Sequence, residues 1–385
     1  MRVLQVCQPT VEGVAVHVET LASELPGQGV EVAVACPPGP LADHLLERGV
    51  PWIAVPMDRH VDPVGDLRAV RTIVRTLRRA ARAGQAFDLV HAHSAKAGAV
   101  ARVAAILARV PTVYTPHAWS FLAAGSPLER LVYRLVETVL GFATRRIVCV
   151  SDGERELGRQ VAARNRCIVI PNGIDPPAEI VHDGHPQRDG SVAVGTVGRL
   201  APQKGIDLLL EAASLVIQRR PDVRFRIAGD GPSAAELHAR TEELGISDRV
   251  RFDGLVDGPW GVLAELDVFV LPSRWEGMPF TLLEAMGGGL PVVSFDVGGV
   301  RDLIVDERHG TVVAPGDVTG FAEAIVRYAD DPDQRRRTGE EARERVLQHF
   351  TFDRMVERNG ELYRDVVAAG PSAASDATDA VARRG

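Results

Sequence analysis

At 385 residues the chain is long for one hydrophobic core and comfortable for two domains of ordinary size. Its 45% hydrophobic and 25% charged residues describe a soluble globular protein, and a net charge of −7 argues against a general nucleic-acid binder, which would carry a basic excess. No apolar run approaches the roughly 20 residues of a membrane span. Met1–Val6 runs straight into a strand pattern, so no signal peptide is expected and the cytoplasm is the simplest compartment. None of the four cysteines has C-x-x-C spacing, and Cys7, Cys36 and Cys149 end apolar runs, as reduced, buried thiols do.

Short β-branched runs alternate with longer amphipathic stretches, which predicts an α/β chain with parallel sheets. Strands are expected at Val3–Cys7, Val30–Cys36, Trp52–Val55, Phe87–His91, Thr112–Tyr114, Ile147–Val150 and Cys167–Ile170, with helical patterns between them. Pro171-Asn-Gly-Ile-Asp-Pro-Pro177 is a dense cluster of turn residues, and the polar stretch His182–Gly190 reads as an inter-domain linker. The alternation restarts with Val192–Val197, Val223–Ala228, Val250–Phe252, Val268–Leu271, Pro291–Phe295 and Thr311–Val313. Two doubly wound Rossmann-like units facing each other across a cleft are therefore expected. Their bounds are read as 1–175 and 191–348 around a linker at 176–190, with a C-terminal helix at 349–368 and a disordered tail at 369–385.

Chemistry concentrates in the second unit. In Ser273-Arg-Trp-Glu276-Gly-Met-Pro-Phe-Thr-Leu-Leu-Glu284, two carboxylates sit eight positions apart, one on a Gly/Pro loop and one on the helix that loop opens. Pro279 suits the first helical position, where its missing N–H costs nothing. The turn before it can aim free N–H groups and the positive end of the helix dipole at an anion. Glu276 and Glu284 are then placed to hold different parts of one elongated ligand. After the unit's first strand, Gly198-Arg199-Leu-Ala-Pro-Gln-Lys204 puts a guanidinium and an ammonium on a strand-to-helix loop, the usual phosphate position, although two solvated cations would look the same. The small residues of Gly229-Asp-Gly-Pro232 admit either a close approach by a ligand or backbone, or a plain tight turn.

In the first unit, Glu12-Gly13 follows the first strand without the G-x-G-x-x-G of a nicotinamide site. His117, in Tyr114-Thr-Pro-His-Ala-Trp, ends a strand beside aromatics, and His93 and Lys96 end the preceding one. Such a position serves a structural histidine as well as a site histidine. Asp331-Pro-Asp333 resembles a metal-binding D-x-D pair, but it opens a helix and reads as a cap. Ser151-Asp-Gly-Glu154 has capping-box spacing and is given no catalytic role.

Together, Glu276-x7-Glu284, Gly198-Arg199…Lys204-Gly205, Pro171-Asn-Gly-Ile-Asp175 and Gly229-Asp-Gly-Pro232 make the chain, over about residues 1 to 365, resemble glycosyltransferase family 4, retaining enzymes of the GT-B fold. The resemblance implies that Arg199 and Lys204 clamp a donor diphosphate and that Glu284 binds ribose hydroxyls. Glu276, with the backbone of Gly277 and Met278 ahead of Pro279, would hold the donor sugar, and His117 would lie near the sugar's O6. It also implies a nucleotide-sugar donor, a UDP-sugar, with no metal and no cofactor. Where this chain has Glu12-Gly13, the family commonly has Gly-Gly, so close backbone approach at Gly13 is less secure.

His93–Gly98 and Tyr114–Phe121 look like bacterial exopolysaccharide transferases, which suggests a lipid-linked glycan acceptor. Arg68, Arg71, Arg75, Arg78, Arg79 and Arg82 lie largely on one face of the helix Asp66–Gly84. This stripe could rest on anionic phospholipid at the inner face of the cell membrane, or could simply be a solvated face. The competing readings are a nucleotide-sugar epimerase of the same architecture and a non-catalytic sugar-nucleotide-binding subunit. A phosphorylase would need a cofactor lysine. A glycoside hydrolase would need its two carboxylates around one bond and would leave the cations without purpose.

Overall fold

The computed structural model describes residues 1–58, 62–163, 166–178 and 190–370. Most of the expected linker and the tail beyond Gly370 lie outside the described residues. The chain forms two compact units, one of Met1–Pro171 with the segment from Asp353, the other of Asn172–Phe352.

The first unit is a seven-stranded parallel sheet. Its strands are β1 (Arg2–Cys7), β2 (Glu31–Cys36), β3 (Trp52–Ala54), β4 (Leu89–His93), β5 (Thr112–Thr115), β6 (Arg146–Cys149) and β7 (Cys167–Val169). They lie in the order β3-β2-β1-β4-β5-β6-β7. The helices α1 (Glu12–Glu24), α2 (Pro40–Glu47), α3 (Pro63–Arg82), α4 (Ala95–Ala108), α5 (Pro127–Ala143) and α6 (Asp152–Gly158) connect them. β1 and β4 are buried along almost their whole length, and Gln5, His91 and His93 are enclosed there together with the apolar residues. Val70, Ile73, Val74 and Leu77 of α3 pack with Val100, Ala101 and Ala104 of α4 in one core beneath the sheet. All four cysteines are free and buried.

The fourth strand begins two residues later than the apolar pattern suggests. The ladder with β1 pairs Val3 with Leu89 and Cys7 with His93, so His91 and His93 both belong to the strand. Phe87 stays outside it and instead packs under the Arg2 guanidinium.

The second unit is a six-stranded parallel sheet of β8 (Val192–Val197), β9 (Val223–Ala228), β10 (Val250–Gly254), β11 (Val268–Leu271), β12 (Val292–Phe295) and β13 (Thr311–Val313), ordered β10-β9-β8-β11-β12-β13. Its helices are α7 (Ile206–Arg219), α8 (Ala234–Glu243), α9 (Trp260–Leu263), α10 (Phe280–Gly287), α11 (Val300–Leu303), α12 (Val318–Asp330) and α13 (Pro332–His349). The last helix, α14 (Phe352–Ala368), brings the chain back to the first unit, where Tyr363 bonds His91 (2.5 Å) and Arg358 donates to the Val169 carbonyl (2.5 Å).

The turn cluster after β7 belongs to the second unit. The Ile174 N–H donates to the Phe350 carbonyl (2.9 Å) and Ile174 forms a bridge with Thr351. A Cβ on Gly173 would overlap the Thr351 carbonyl, so only glycine permits that approach.

Candidate active site

In each sheet the strand order reverses once, at β1/β4 in the first unit and at β8/β11 in the second. Crevices for ligands open beyond the carboxyl ends of strands at such points. The residues singled out from sequence fall there: Arg199 and Lys204 follow β8, the Ser273–Pro279 loop follows β11, Glu12 and Gly13 follow β1, and His93 and His117 end or follow β4 and β5.

In the second unit, Lys204 Nζ lies 2.7 Å from Glu276 Oε1, joining the two loops of the switch point. Ser273 Oγ donates to the same carboxylate oxygen at 2.7 Å. Glu276 is only 8% exposed, and these two contacts fix its rotamer. Further bonds tie the two loops. Gln203 Nε2 donates to the Trp275 carbonyl (3.0 Å), and the Arg274 N–H donates to the Gln203 carbonyl (2.8 Å). Arg274 forms a two-pronged pair with Asp207 at 2.8 and 2.5 Å. Gly205 has φ +61, and a Cβ there would overlap the Pro272 carbonyl oxygen, so this junction requires glycine.

The carbonyls of Gly277 and Met278 are anchored by the Gly299 N–H (2.7 Å) and Asn172 Nδ2 (2.9 Å). Asn172 therefore supports the Glu276–Pro279 loop, a role that turn composition alone does not reveal. Pro279 is the N-cap of α10 rather than its first residue: its φ/ψ is −72/122, and its carbonyl accepts from the Leu283 N–H (3.3 Å). Helical geometry begins at Phe280, so the first-turn N–H groups belong to Phe280 onward. Glu284 sits one turn in, and burial pushes its carboxyl up to about 7. Of the two explanations for Gly229-Asp-Gly-Pro232, the close approach holds and the neighbour is backbone. A Cβ on Gly229 or Gly231 would overlap the carbonyl of Gly198 or Leu200, on the loop that carries Arg199.

In the first unit, His93 Nδ1 and His117 Nε2 are 3.2 Å apart, and His17 of α1 packs edge-on to His117 with ring centroids 4.7 Å apart. Burial, reinforced by neighbouring imidazoles, drives the pKa of His91, His93 and His117 well below its ordinary value, so these rings are neutral. Among the described residues, His17, His93 and His117 are grouped with ligand atoms within 4.8 Å of one another, a donor set that neutral imidazoles could offer to a metal ion. Lys96 instead pairs with Asp66 of α3 at 2.7 Å.

Among the described residues, four of the five non-glycine residues with positive φ, Glu12, Ser94, His117 and Ala118, follow strands of this unit. Such strain gathers where a backbone must reach a ligand. Glu12, at φ +66, holds in strained form a conformation that glycine adopts freely. The His117–Ala118 turn is held by Glu154, whose carboxylate accepts from the Ala118 N–H (2.6 Å) and the Val150 N–H (2.7 Å). The spacing from Ser151 does form a cap, since Ser151 Oγ accepts from the Glu154 N–H (3.1 Å). The Glu154 side chain, however, supports the site rather than closing a capping box. His17 was also missed; its place on the buried stripe of α1 with Val18 and Leu21 marks it as core by periodicity. Asp331 caps α13 by accepting from the Gln334 N–H (2.8 Å), as the sequence suggests.

Residues 12–173 match the glycosyl transferase 4-like domain, and residues 178–345 match glycosyl transferases group 1. A UDP-Gal:alpha-D-GlcNAc-diphosphoundecaprenol alpha-1,3-galactosyltransferase of Escherichia coli is 29% identical over 358 residues, 89% of this chain and 91% of that protein. An alpha-maltose-1-phosphate synthase of Mycobacterium tuberculosis is 30% identical over 326 residues, 75% of this chain and 81% of that protein. The solved structure of Anabaena Alr3699/HepE in complex with UDP and glucose superposes with a TM-score of 0.80 at 22% identity, covering 94% of this chain and 99% of that one. With both sheets of the GT-B fold present and matched along nearly their whole length, the chain belongs to glycosyltransferase family 4 and is a glycosyltransferase.

Proposed function

We propose that the enzyme moves a sugar from a UDP-sugar to a hydroxyl of a lipid-linked glycan, with retention at the anomeric carbon. The observation that carries this reading is the meeting of Lys204 and Glu276 at the β8/β11 switch point, beside the start of α10. An ammonium for the diphosphate and a carboxylate for the sugar sit within one hydrogen bond. Arg199 on the same loop adds a second cation. Two proteins named above support the choice of donor and acceptor: a galactosyltransferase acting on a diphosphoundecaprenol-linked sugar and a structure holding UDP and glucose.

In this reading the bond from the anomeric carbon to the diphosphate breaks as the acceptor oxygen bonds to the same face, and the acceptor's proton passes to the leaving phosphate oxygen. Arg199, Lys204 and the first-turn N–H groups of α10 stabilise the charge that builds on the diphosphate. Glu276 and the Gly277–Met278 backbone hold the sugar, and Glu284 accepts from the ribose hydroxyls. Neutral His117 donates to or accepts from a sugar hydroxyl without adding charge, and Gly13 lies where the backbone would approach the ligand. The exposed arginines of α3 would draw the enzyme to the anionic membrane that holds such an acceptor.

Incubation with a panel of nucleotide sugars tests this, read as nucleotide release and as thermal stabilisation. One UDP-sugar should stand out on both readouts. An epimerised sugar nucleotide as sole product, or binding without turnover in the presence of polyprenyl-diphosphate-linked sugars, would replace this reading with the epimerase or the binding subunit.

A further inference from the structure

Helix α5 is built inside out. Its inward face carries a charge: Glu137, 4% exposed, accepts from Arg102 of α4 at 2.8 Å and from the Tyr114 hydroxyl at 3.1 Å, and the Arg102 guanidinium lies 3.9 Å from the centre of the Tyr114 ring. Its outward face carries seven large apolar side chains, Leu128, Leu131, Val132, Leu135, Val136, Val139 and Phe142, with Leu128 71% and Phe142 73% exposed. At 100° per residue these positions fall within an arc of about 140°. The helix is about 25 Å long. Val103, Ile106 and Leu107 of the neighbouring α4 are exposed as well. Scattered apolar residues on a surface mean little, but a continuous ridge of this kind marks an interaction face.

The charge around the ridge selects its occupant. α3 packs on α4, and its six arginines are all exposed. Arg78 reaches the Leu107 carbonyl at the end of α4 (3.0 Å), next to the exposed apolar residues there. Residues 63–146 hold thirteen basic side chains against four carboxylates, in a chain whose net charge is −7. Of those carboxylates Glu137 is buried, Asp66 is paired with Lys96 and Glu129 is bonded by Tyr133 and the Gly125 N–H. A second copy of this chain would set one arginine-rich border against another. An anionic bilayer instead neutralises the border while taking up the ridge.

We infer that α5 is an in-plane membrane anchor, its apolar ridge lying among the acyl chains of an anionic phospholipid leaflet while the α3 arginines meet the headgroups. An amphipathic helix with a cationic border binds membranes in this way. The inference deepens the lipid-linked acceptor reading, on which its biological sense rests, but it stands on a different face and different residues.

The test is flotation of the full-length protein with vesicles of phosphatidylglycerol and phosphatidylethanolamine, against phosphatidylcholine alone. The protein should float with the anionic vesicles at low salt and not with phosphatidylcholine. The triple variant Leu131→Ser, Leu135→Ser, Phe142→Ser and the variant Arg71→Glu, Arg75→Glu, Arg78→Glu should each lose about tenfold in vesicle binding. Both should keep the wild-type circular dichroism spectrum and the wild-type rate of nucleotide release from the preferred donor. Failure of the wild type to float overturns the inference, as does flotation indifferent to the apolar triple variant. So does light scattering that shows a wild-type dimer and a monomeric triple variant. Absence of nucleotide release from any sugar nucleotide, with flotation intact, counts against the transferase chemistry and leaves the anchor standing.

Discussion

Lys204 and Glu276, 72 positions apart, form a 2.7 Å ion pair whose carboxylate is almost wholly buried. The pair holds both groups ready for a ligand that would take the ammonium through its phosphates and the carboxylate through its sugar. Lys204→Ala and Glu276→Gln should each reduce transfer on the order of 10²–10³-fold, because each removes charge placed where the transition state needs it. Stability should separate the two. Lys204→Ala leaves a buried carboxylate with Ser273 as its remaining side-chain partner and should cost about 1–3 kcal/mol, whereas Glu276→Gln removes the buried charge and should cost less. Steady-state rates and denaturant melts of both variants and the double variant check this, and additive losses in the double variant would show that the pair does not act as a unit.

The carboxyl of Glu284 yields a prediction about pH. Burial raises it from 4.5 to about 7, so the folded state binds more protons than the unfolded state between those values. Its contribution to stability is therefore fully present below 4.5 and is lost as pH rises through 7. Relative to the wild type, Glu284→Gln should gain stability as pH rises across that window. Binding should run the opposite way, since the ionised carboxylate is the better acceptor for ribose hydroxyls. Affinity for a UDP-sugar should rise about tenfold from about pH 6 to about pH 8 and be flat in the Gln variant. Calorimetric titration at the two pH values measures both, and a pH-independent wild type would remove Glu284 from the ribose.

Strands such as β8, β11 and β12 were legible because, buried on both faces, they read as near-continuous apolar runs. The start of β4 was not, since Phe87 is apolar yet serves as a platform for Arg2 while two histidines complete the strand. At the site, Glu276, Arg199 and Lys204 could be read from loop chemistry because glycines and prolines mark the carboxyl ends of β8 and β11. Their mutual contact could not, because pairing across 72 residues depends on strand order. Glu154 shows the limit of local spacing. Its distance from Ser151 describes the cap correctly, while its carboxylate reaches Ala118, 36 residues earlier. The exposed apolar face of α5 was likewise not read from the sequence, since periodicity does not say on which side of a helix the core lies; the burial of Glu137 decides that.

Glu154 can be tested as a positioning residue. His117 at φ +54 and Ala118 at φ +88 form a strained turn, and the 2.6 Å bond from Ala118 to Glu154 helps to hold it. Glu154→Ala removes that acceptor and leaves the buried Val150 N–H and the half-buried Ala118 N–H without it, at a cost of about 1–3 kcal/mol for the buried one and less for the other. The variant should melt lower and lose turnover, with a larger effect on kcat than on the KM for the donor. Glu154→Gln keeps one acceptor oxygen and should recover part of both losses. Equal activity in the Ala variant would show that the His117 turn holds itself.

Gly205 gives the most direct test of how the β8 and β11 loops are joined. Its φ of +61 lies in the left-handed region, and a methyl group there would meet the Pro272 carbonyl oxygen, backbone that cannot swing away. Gly245, at φ +66, has a similar conformation but open space around it. Both Ala variants incur the left-handed strain, about 1 kcal/mol, and only Gly205→Ala adds the collision. That collision must part the β8 loop, carrying Lys204, from the β11 loop, carrying Glu276. Gly205→Ala should therefore lose donor binding along with stability, whereas Gly245→Ala should lose about 1 kcal/mol of stability and keep its turnover. Melting curves and donor titrations of the two variants decide the point, and similar behaviour in both would mean that the contact at Pro272 does not set the distance between the two loops.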